Sequence, residues 1–204
     1  VQYPGRGDRF GEPFGRSVHE AGAAVAEEIA ARGLRNATLV GHSLGGIVAY
    51  EAAVRLTELG MAPQQLVVSS CASPGEMSHR TLHAAPDEEF WAGLAALGGI
   101  DAQIIESPEL REVLSPILRS DLGLHARYEP RPGTALLACP VVCYQASSDP
   151  IVDDDGLDRW SAVTTGSFEL RRVDGNHFHA FDDASRLVAE VTGELSTTTS
   201  DRRA

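Results

Sequence analysis

The pentapeptide "GHSLG", Gly41 to Gly45, sets a serine two positions from a glycine on either side. A serine hydroxyl is a poor nucleophile at neutral pH; it becomes a good one when a base takes its proton and a third group orients that base. The G-x-S-x-G spacing suits this, because a strained strand-to-helix turn with small flanking residues thrusts the Ser43 hydroxyl into a cleft. Taken alone, the pattern also describes a glycine-rich turn whose serine merely caps a helix. Its neighbours favour the first reading. "ATLV" before it is a short apolar, β-branched run, and "GGIVAYEAAVRLTELG" after it has the pattern of a helix stopped by Gly60.

A nucleophile on such an elbow is followed along the chain by an acidic residue and then by a histidine. Asp149 follows the apolar run "CPVVCYQ" in "ASSDP", which sets its carboxylate on a loop at a strand's C-terminal end. Asp153, Asp154, Asp155 and Asp158 read as the solvated start of a helix, and Asp174 follows a different strand, so Asp149 is favoured. Among seven histidines, "VDGNHFHAF" holds the two serious candidates for the base. His177 directly follows the turn residues Gly175 and Asn176 and is favoured; His179 stays open as the alternative. His42 adjoins the nucleophile as a packing residue or pocket wall, while His19, His79, His83 and His125 have no matching partner spacing. Negative charge developing on an attacked carbonyl needs backbone donors, one from the residue after the nucleophile, Leu44.

The elements that must hold these residues alternate. "SVHEAGAAVAEEIAARGL" reads as a helix with Ser17 as N-cap and Gly33 as stop, presenting Val18, Ala21, Val25, Ile29 and Ala30 on one face. "QLVVSSC", "CPVVCYQ" and "FELRRV" read as strands, and Ala184 to Leu195 as a final helix before a frayed tail. Short apolar strands separated by helices indicate a mostly parallel sheet with helices on both faces. "VQY" at the start reads as the end of another strand, with "PGRGDR" as its turn and Arg6-Gly7-Asp8 incidental rather than an adhesion tripeptide. Between Cys71 and Cys139 only helical patterns occur, "PDEEFWAGLAAL" and "SPELREVLSPILRSDLGLHARY", with Pro116 expected to kink or break the second. Such an insertion lies over the C-terminal strand ends, where ligands bind.

With 17 Lys and Arg against 29 Asp and Glu, the net charge of −12 would repel a phosphate backbone, which makes nucleic acid an unsuitable partner. No run of about 18 apolar residues is available to span a membrane. Three cysteines without metal-ligand spacing fit reduced core thiols and a cytoplasmic setting.

Together these stretches resemble the type II thioesterases that accompany polyketide synthases and nonribosomal peptide synthetases. The likeness runs from "VQYPGRGDRFGEPF" through "LVGHSLGGIVAYEAA", "FWAGLAALGGI", "PELREVLSPILRSDLGLHARYEP" and "CPVVCYQASSDPIV" to "GNHFHAF". "GHSLGG" is common to many hydrolases; "YPGRGDR" with "LRSDLGLHARY" is far more specific. The resemblance implies one α/β-hydrolase domain over residues 1–204 with a lid insertion at about residues 73–134. It also implies hydrolysis of acyl thioesters from the phosphopantetheine arm of acyl or peptidyl carrier domains, with no cofactor or metal of the enzyme's own. It assigns Ser43 as nucleophile, Asp149 as acid and His177 as base, with Leu44 in the oxyanion hole. A second oxyanion donor is expected before Val1, in a His-Ala-Gly-Gly-like stretch, so the domain is expected to be N-terminally incomplete. Two departures stand out: "ASS" precedes Asp149 where a glycine is common, and "HFH" stands where "HFF" is usual, which keeps His179 in play. A small carboxylic esterase and a non-catalytic acyl or carrier binder of the same fold are the alternatives. Arg119, Arg127 and Arg131 are candidates for a carrier-docking patch.

Overall fold

A computed structural model describes residues 1–76, 81–98, 100–152, 158–182, 185, 188, 189 and 191. Four strands, β1 (Thr38–His42), β2 (Gln65–Ser69), β3 (Val141–Ala146) and β4 (Phe168–Val173), form one sheet in the order β1-β2-β3-β4, every pair parallel. The alternation of each strand divides its residues between two faces. Leu39, Leu66, Val68, Val141 and Cys143 enter the main core with Ile47, Ala52 and Leu56, whereas Val67, Val142 and Tyr144 pack on the opposite face with Val173 and Val191. The parallel sheet expected from the sequence is present, with apolar residues buried on both of its faces.

Helices α1 (Val18–Ala31) and α2 (Leu44–Glu58) pack against each other on the main-core side. Ser17 Oγ accepts the Glu20 N–H at 3.1 Å, as its N-cap position predicts. Gly33 and Gly60 adopt φ of +64° and +70°, with paired closing bonds from Gly33 N to Ala30 O and Leu34 N to Ile29 O, and from Gly60 N to Thr57 O and Met61 N to Leu56 O. Both helices thus stop where expected, by a left-handed glycine cap. The buried stripe of α1 differs from the expected one: Val18, Gly22 and Ala26 are buried, while Ala21, Val25 and Ile29 are only half-buried at its edge. The physical reason is Gly22, where a Cβ would stand 2.5 Å from Glu51 Cβ, so this glycine lets the two helices approach at closest range.

Between β2 and β3 lie α3 (Asp87–Leu97), α4 (Ala102–Glu106) and α5 (Pro108–Ala126). They carry a small core of their own. Phe90, Trp91 and Leu94 pack against Leu82, Ile104, Leu114, Leu118 and Leu122. Pro116 sits inside α5 without ending it. A mid-helix proline forfeits one backbone bond, but Leu114, Leu118 and Leu122 around it are all anchored in this core, which holds both halves in one helix.

Val1–Tyr3 is in no strand, contrary to expectation. Gln2 O accepts Arg9 Nη1 at 3.0 Å, Gly5 N donates to Arg9 O at 2.9 Å, and Tyr3 packs at the edge of the main core, so the segment is held in a turn and not in a ladder. His79, Asp153 to Asp155 and the chain after Val191 lie outside the described residues, as does most of the expected helix Ala184 to Leu195.

Candidate active site

Strand β1 runs straight into α2, and Ser43 at the junction has φ +51° and ψ −122°. A non-glycine residue in this region carries strain of about 1–3 kcal/mol, which persists only where surrounding structure enforces it. The enforcement is visible. Ser43 N donates to Ser69 O at 2.9 Å, and a Cβ on Gly41 would lie 2.1 Å from Gly45 O, so the bend closes only around a bare Cα at position 41. At Gly45 the same test meets nothing nearer than the Tyr3 hydroxyl at 3.9 Å. The two glycines of the motif are therefore unequal.

Ser43 Oγ makes no capping bond to α2. It lies instead 3.0 Å from His177 Nε2, while His177 Nδ1 is 2.9 Å from Asp149 Oδ2 and 3.1 Å from Oδ1. The three side chains converge from three different places: the β1–α2 elbow, the loop after β3, and the turn after β4. Gly175, with φ +127°, begins the turn that carries His177. The His177 residue is 3% exposed and the Asp149 side chain 1%, so this chain of contacts is screened from water except at the serine end.

Burial on its own would raise the Asp149 pKa. The hydrogen bond with His177, the Ile151 N–H on Oδ1 at 2.8 Å and the charge of His177 outweigh it and bring the value down to about 2. Asp149 therefore stays ionised at any working pH and accepts from His177 Nδ1, which leaves Nε2 free to accept the serine proton. Leu44 is the first residue of α2, where a helix leaves its N–H groups without intrahelical partners and presents the positive end of its dipole.

The remaining sequence candidates fall elsewhere. Asp158 and Asp174 are exposed. His19 stacks on Tyr128 and lies 3.6 Å from the buried carboxylate of Glu51; His83 and Ala85 offer their carbonyls to Arg119. His179 does not join Asp149: its Nε2 lies 2.9 Å from Ser69 Oγ, and Ser69 Oγ is 3.1 Å from His42 Nδ1. Ser69 and His179 thus form a second serine–histidine contact, but Ser69 is 1% exposed and does not reach the cavity. His42 is a cavity wall, as expected, and it also lies against the site: its ring centroid is 5.1 Å from that of His177. These contacts of Ser69 had no signature in the sequence.

A hollow of about 1710 Å³ runs from Leu94, Leu97 and Leu118 of the inserted helices past Ser43 and His177 to Val25 on α1. This exceeds the usual ~300–1,000 Å³ of a small-ligand site. On α3, Leu94 and Leu97 line the hollow while Phe90 and Trp91 are buried behind it.

Among the docking candidates, Arg119 is spent inside the insertion. Its Nη1 donates to His83 O and Ala85 O at 2.8 Å, its Nη2 meets Asp87 Oδ1 at 2.6 Å, and its guanidinium lies 4.0 Å from the Phe90 ring centroid. Arg131 pairs with Glu51 at 3.1 Å. Arg127 is exposed.

Residues 1–195 match the thioesterase domain family. The chain is 34% identical over 202 residues to thioesterase PikA5 of Streptomyces venezuelae, covering 97% of this chain and 71% of that protein. Its fold superposes on the RedJ thioesterase of the prodiginine biosynthetic pathway in Streptomyces coelicolor with a TM-score of 0.86 at 33% identity, covering 96% of this chain and 78% of that one. The type II thioesterase YbtT of the yersiniabactin NRPS/PKS pathway superposes with a TM-score of 0.86 at 28% identity, covering 95% and 79%. On these matches the chain belongs to the thioesterase domain family, as a type II thioesterase of α/β-hydrolase fold.

Proposed function

We propose that Ser43, His177 and Asp149 form the catalytic triad of this thioesterase, with the Leu44 N–H as one oxyanion donor. The observation that carries this reading is the unbroken contact chain Asp149–His177–Ser43, whose serine end opens into an apolar hollow. In the first step His177 Nε2 takes the Ser43 proton while Oγ bonds to the thioester carbonyl carbon. The oxyanion faces the Leu44 N–H, the C–S bond breaks, and the thiol leaves with the proton from His177. In the second, water gives its proton to His177 and attacks the acyl-serine, releasing a carboxylic acid and restoring Ser43.

The substrates are acyl groups on the phosphopantetheine arm of acyl or peptidyl carrier domains in polyketide and nonribosomal peptide synthesis, removed as an editing or release step. A hollow larger than a small-ligand site supports this, because it must admit the end of the arm together with the acyl chain. In this reading the helices within about residues 73–134 act as the lid, part of a single domain. The buried free thiols of Cys71, Cys139 and Cys143 support a cytoplasmic setting, and the net charge of −12 disfavours a nucleic-acid partner. The test is intact-mass detection of acyl loss from a panel of acylated carrier proteins, with the matching oxygen esters in parallel. Loss from the carriers is expected; hydrolysis of esters alone would overturn the substrate assignment in favour of an esterase.

A further inference from the structure

Behind His177 lies a polar chain that the two-step reaction does not use. His42, Ser69, Tyr144 and Arg171 are register partners across the four strands, and partners in a parallel sheet carry their side chains on one face. The His42–Ser69 contact is therefore built by strand pairing, at the last residue of each strand. From the other side comes His179, its N–H bonded to Asn176 O at 3.1 Å, with its Nε2 on Ser69 Oγ. Gly175 makes the approach possible, since a Cβ there would stand 3.0 Å from His179 Cβ.

Ser69 holds two things at once. Its carbonyl accepts the Ser43 N–H that fixes the strained elbow, and its hydroxyl holds the loop that carries His177 two residues before His179. A hydroxyl between two ring nitrogens donates to one and accepts from the other, so Ser69 Oγ can bridge two neutral imidazoles. Consistently, the His42 pKa is brought down to about 4, chiefly by burial and also by the nearby His177 and His179, with Asp149 opposing. The Asp149 contact fixes one end of the His177 ring; a loop that shifted would still swing the other end away from Ser43.

We propose that Ser69 and His179 are positioning residues for His177, the Ser69 hydroxyl anchoring the base-bearing loop to the strand ends from which the nucleophile elbow rises. The inference rests on the assignment of Ser43 and His177 made above.

The test compares Ser69→Ala, His179→Phe, His179→Gln and the Ser69→Ala/His179→Phe double variant of the full chain, with Ser43→Ala as control. Three quantities are read below the unfolding temperature: kcat and KM on an acyl-pantetheine thioester, and the rate at which a fluorophosphonate labels Ser43. Because a misplacement of about 1 Å costs roughly 100-fold, Ser69→Ala and His179→Phe are each expected to lower kcat about 10- to 100-fold, leave KM within about twofold and slow labelling in parallel. The double variant is expected to be no slower than the slower single, since both changes cut one chain. His179→Gln, with a polar atom near the place of Nε2, is expected to recover most of the rate. A His179→Phe enzyme within about twofold of wild type, losses that multiply in the double variant, or a Gln variant as slow as the Phe variant would each overturn the positioning role while Ser43→Ala remains inactive. A Ser43→Ala enzyme that keeps full activity would instead overturn the triad itself.

Discussion

Arg6 and Asp121 form a two-pronged ion pair, Nη1 to Oδ2 and Nη2 to Oδ1 both at 2.6 Å, across 115 residues of chain. It joins the loop of "YPGRGDR" to helix α5 of "LRSDLGLHARY", the two stretches that made the family resemblance specific. Arg6 also lies 5.3 Å from the Tyr3 ring centroid, so its side chain is committed within the molecule and is not displayed for adhesion. With both side chains about a quarter exposed, solvent screening limits the pair to about 1 kcal/mol. Arg6→Ala is expected to speed amide hydrogen exchange in α5 about fivefold, and Asp8→Asn to leave it unchanged. Equal exchange in Arg6→Ala and wild type would show that the pair does not hold α5.

Ser43→Ala is expected to lower thioester hydrolysis by several powers of ten with an unchanged circular dichroism spectrum. His177→Ala is expected to be nearly as damaging, and combining the two to cost little more, because the residues act as a unit. His179→Ala is expected to be far milder than either. Equal losses from His177→Ala and His179→Ala, measured as kcat/KM, would contradict the assignment of the base.

The two glycines of the elbow should respond differently to one methyl group. Gly41→Ala drives a Cβ to 2.1 Å from Gly45 O, a backbone atom that cannot move aside without undoing the turn. Loss of folded protein is expected, at a cost above about 4 kcal/mol. Gly45→Ala meets only the Tyr3 hydroxyl at 3.9 Å and should fold. Urea denaturation of the two variants checks the contrast.

His42 gives a pH dependence of stability with a definite sign. Its pKa falls from 6.5 to about 4 on folding, chiefly through burial. Between these values the unfolded chain binds more protons than the folded one, so stability is lost as pH falls from 6.5 towards 4. The loss from this group approaches about 3 kcal/mol at the lower end. His42→Gln should flatten that slope in urea titrations between pH 7 and 4.5; an unaltered slope would mean that another group causes the acid loss.

Of the three arginines considered for carrier docking, Arg119 and Arg131 already have partners within the molecule. Arg119→Glu is expected to impair carrier-bound and free acyl-pantetheine substrates alike, because it breaks the clamp on His83, Ala85 and Asp87. Arg127→Glu should weaken only the carrier-bound reaction, through a slower encounter. A comparison of kcat/KM on the two substrates separates these outcomes, and equal losses for Arg127→Glu would remove it from the docking surface.

Local chemistry was legible in the chain. Ser17, Gly33 and Gly60 cap their helices where their types demand, β4 spans the alternating "FELRRV", and the elbow follows from a β-branched run meeting a glycine-rich helix start. Each depends on residues within a few positions of one another, so backbone sterics and capping decide them before the chain is compact. The order Ser43, Asp149, His177 was also readable, because it follows the order of the strands. Register and packing, by contrast, join residues far apart in sequence. The pairing of His42 with Ser69 follows from which residues of β1 and β2 come to lie side by side, and the turn after β4 then adds His179. The buried face of α1 turned on how closely Gly22 lets α2 approach, and α5 continued through Pro116 because leucines on both sides of it are anchored in one small core. Arg119 and Arg6 look like free surface cations in the sequence; only the fold brings acceptors to them from 32 to 36 and from 115 positions away.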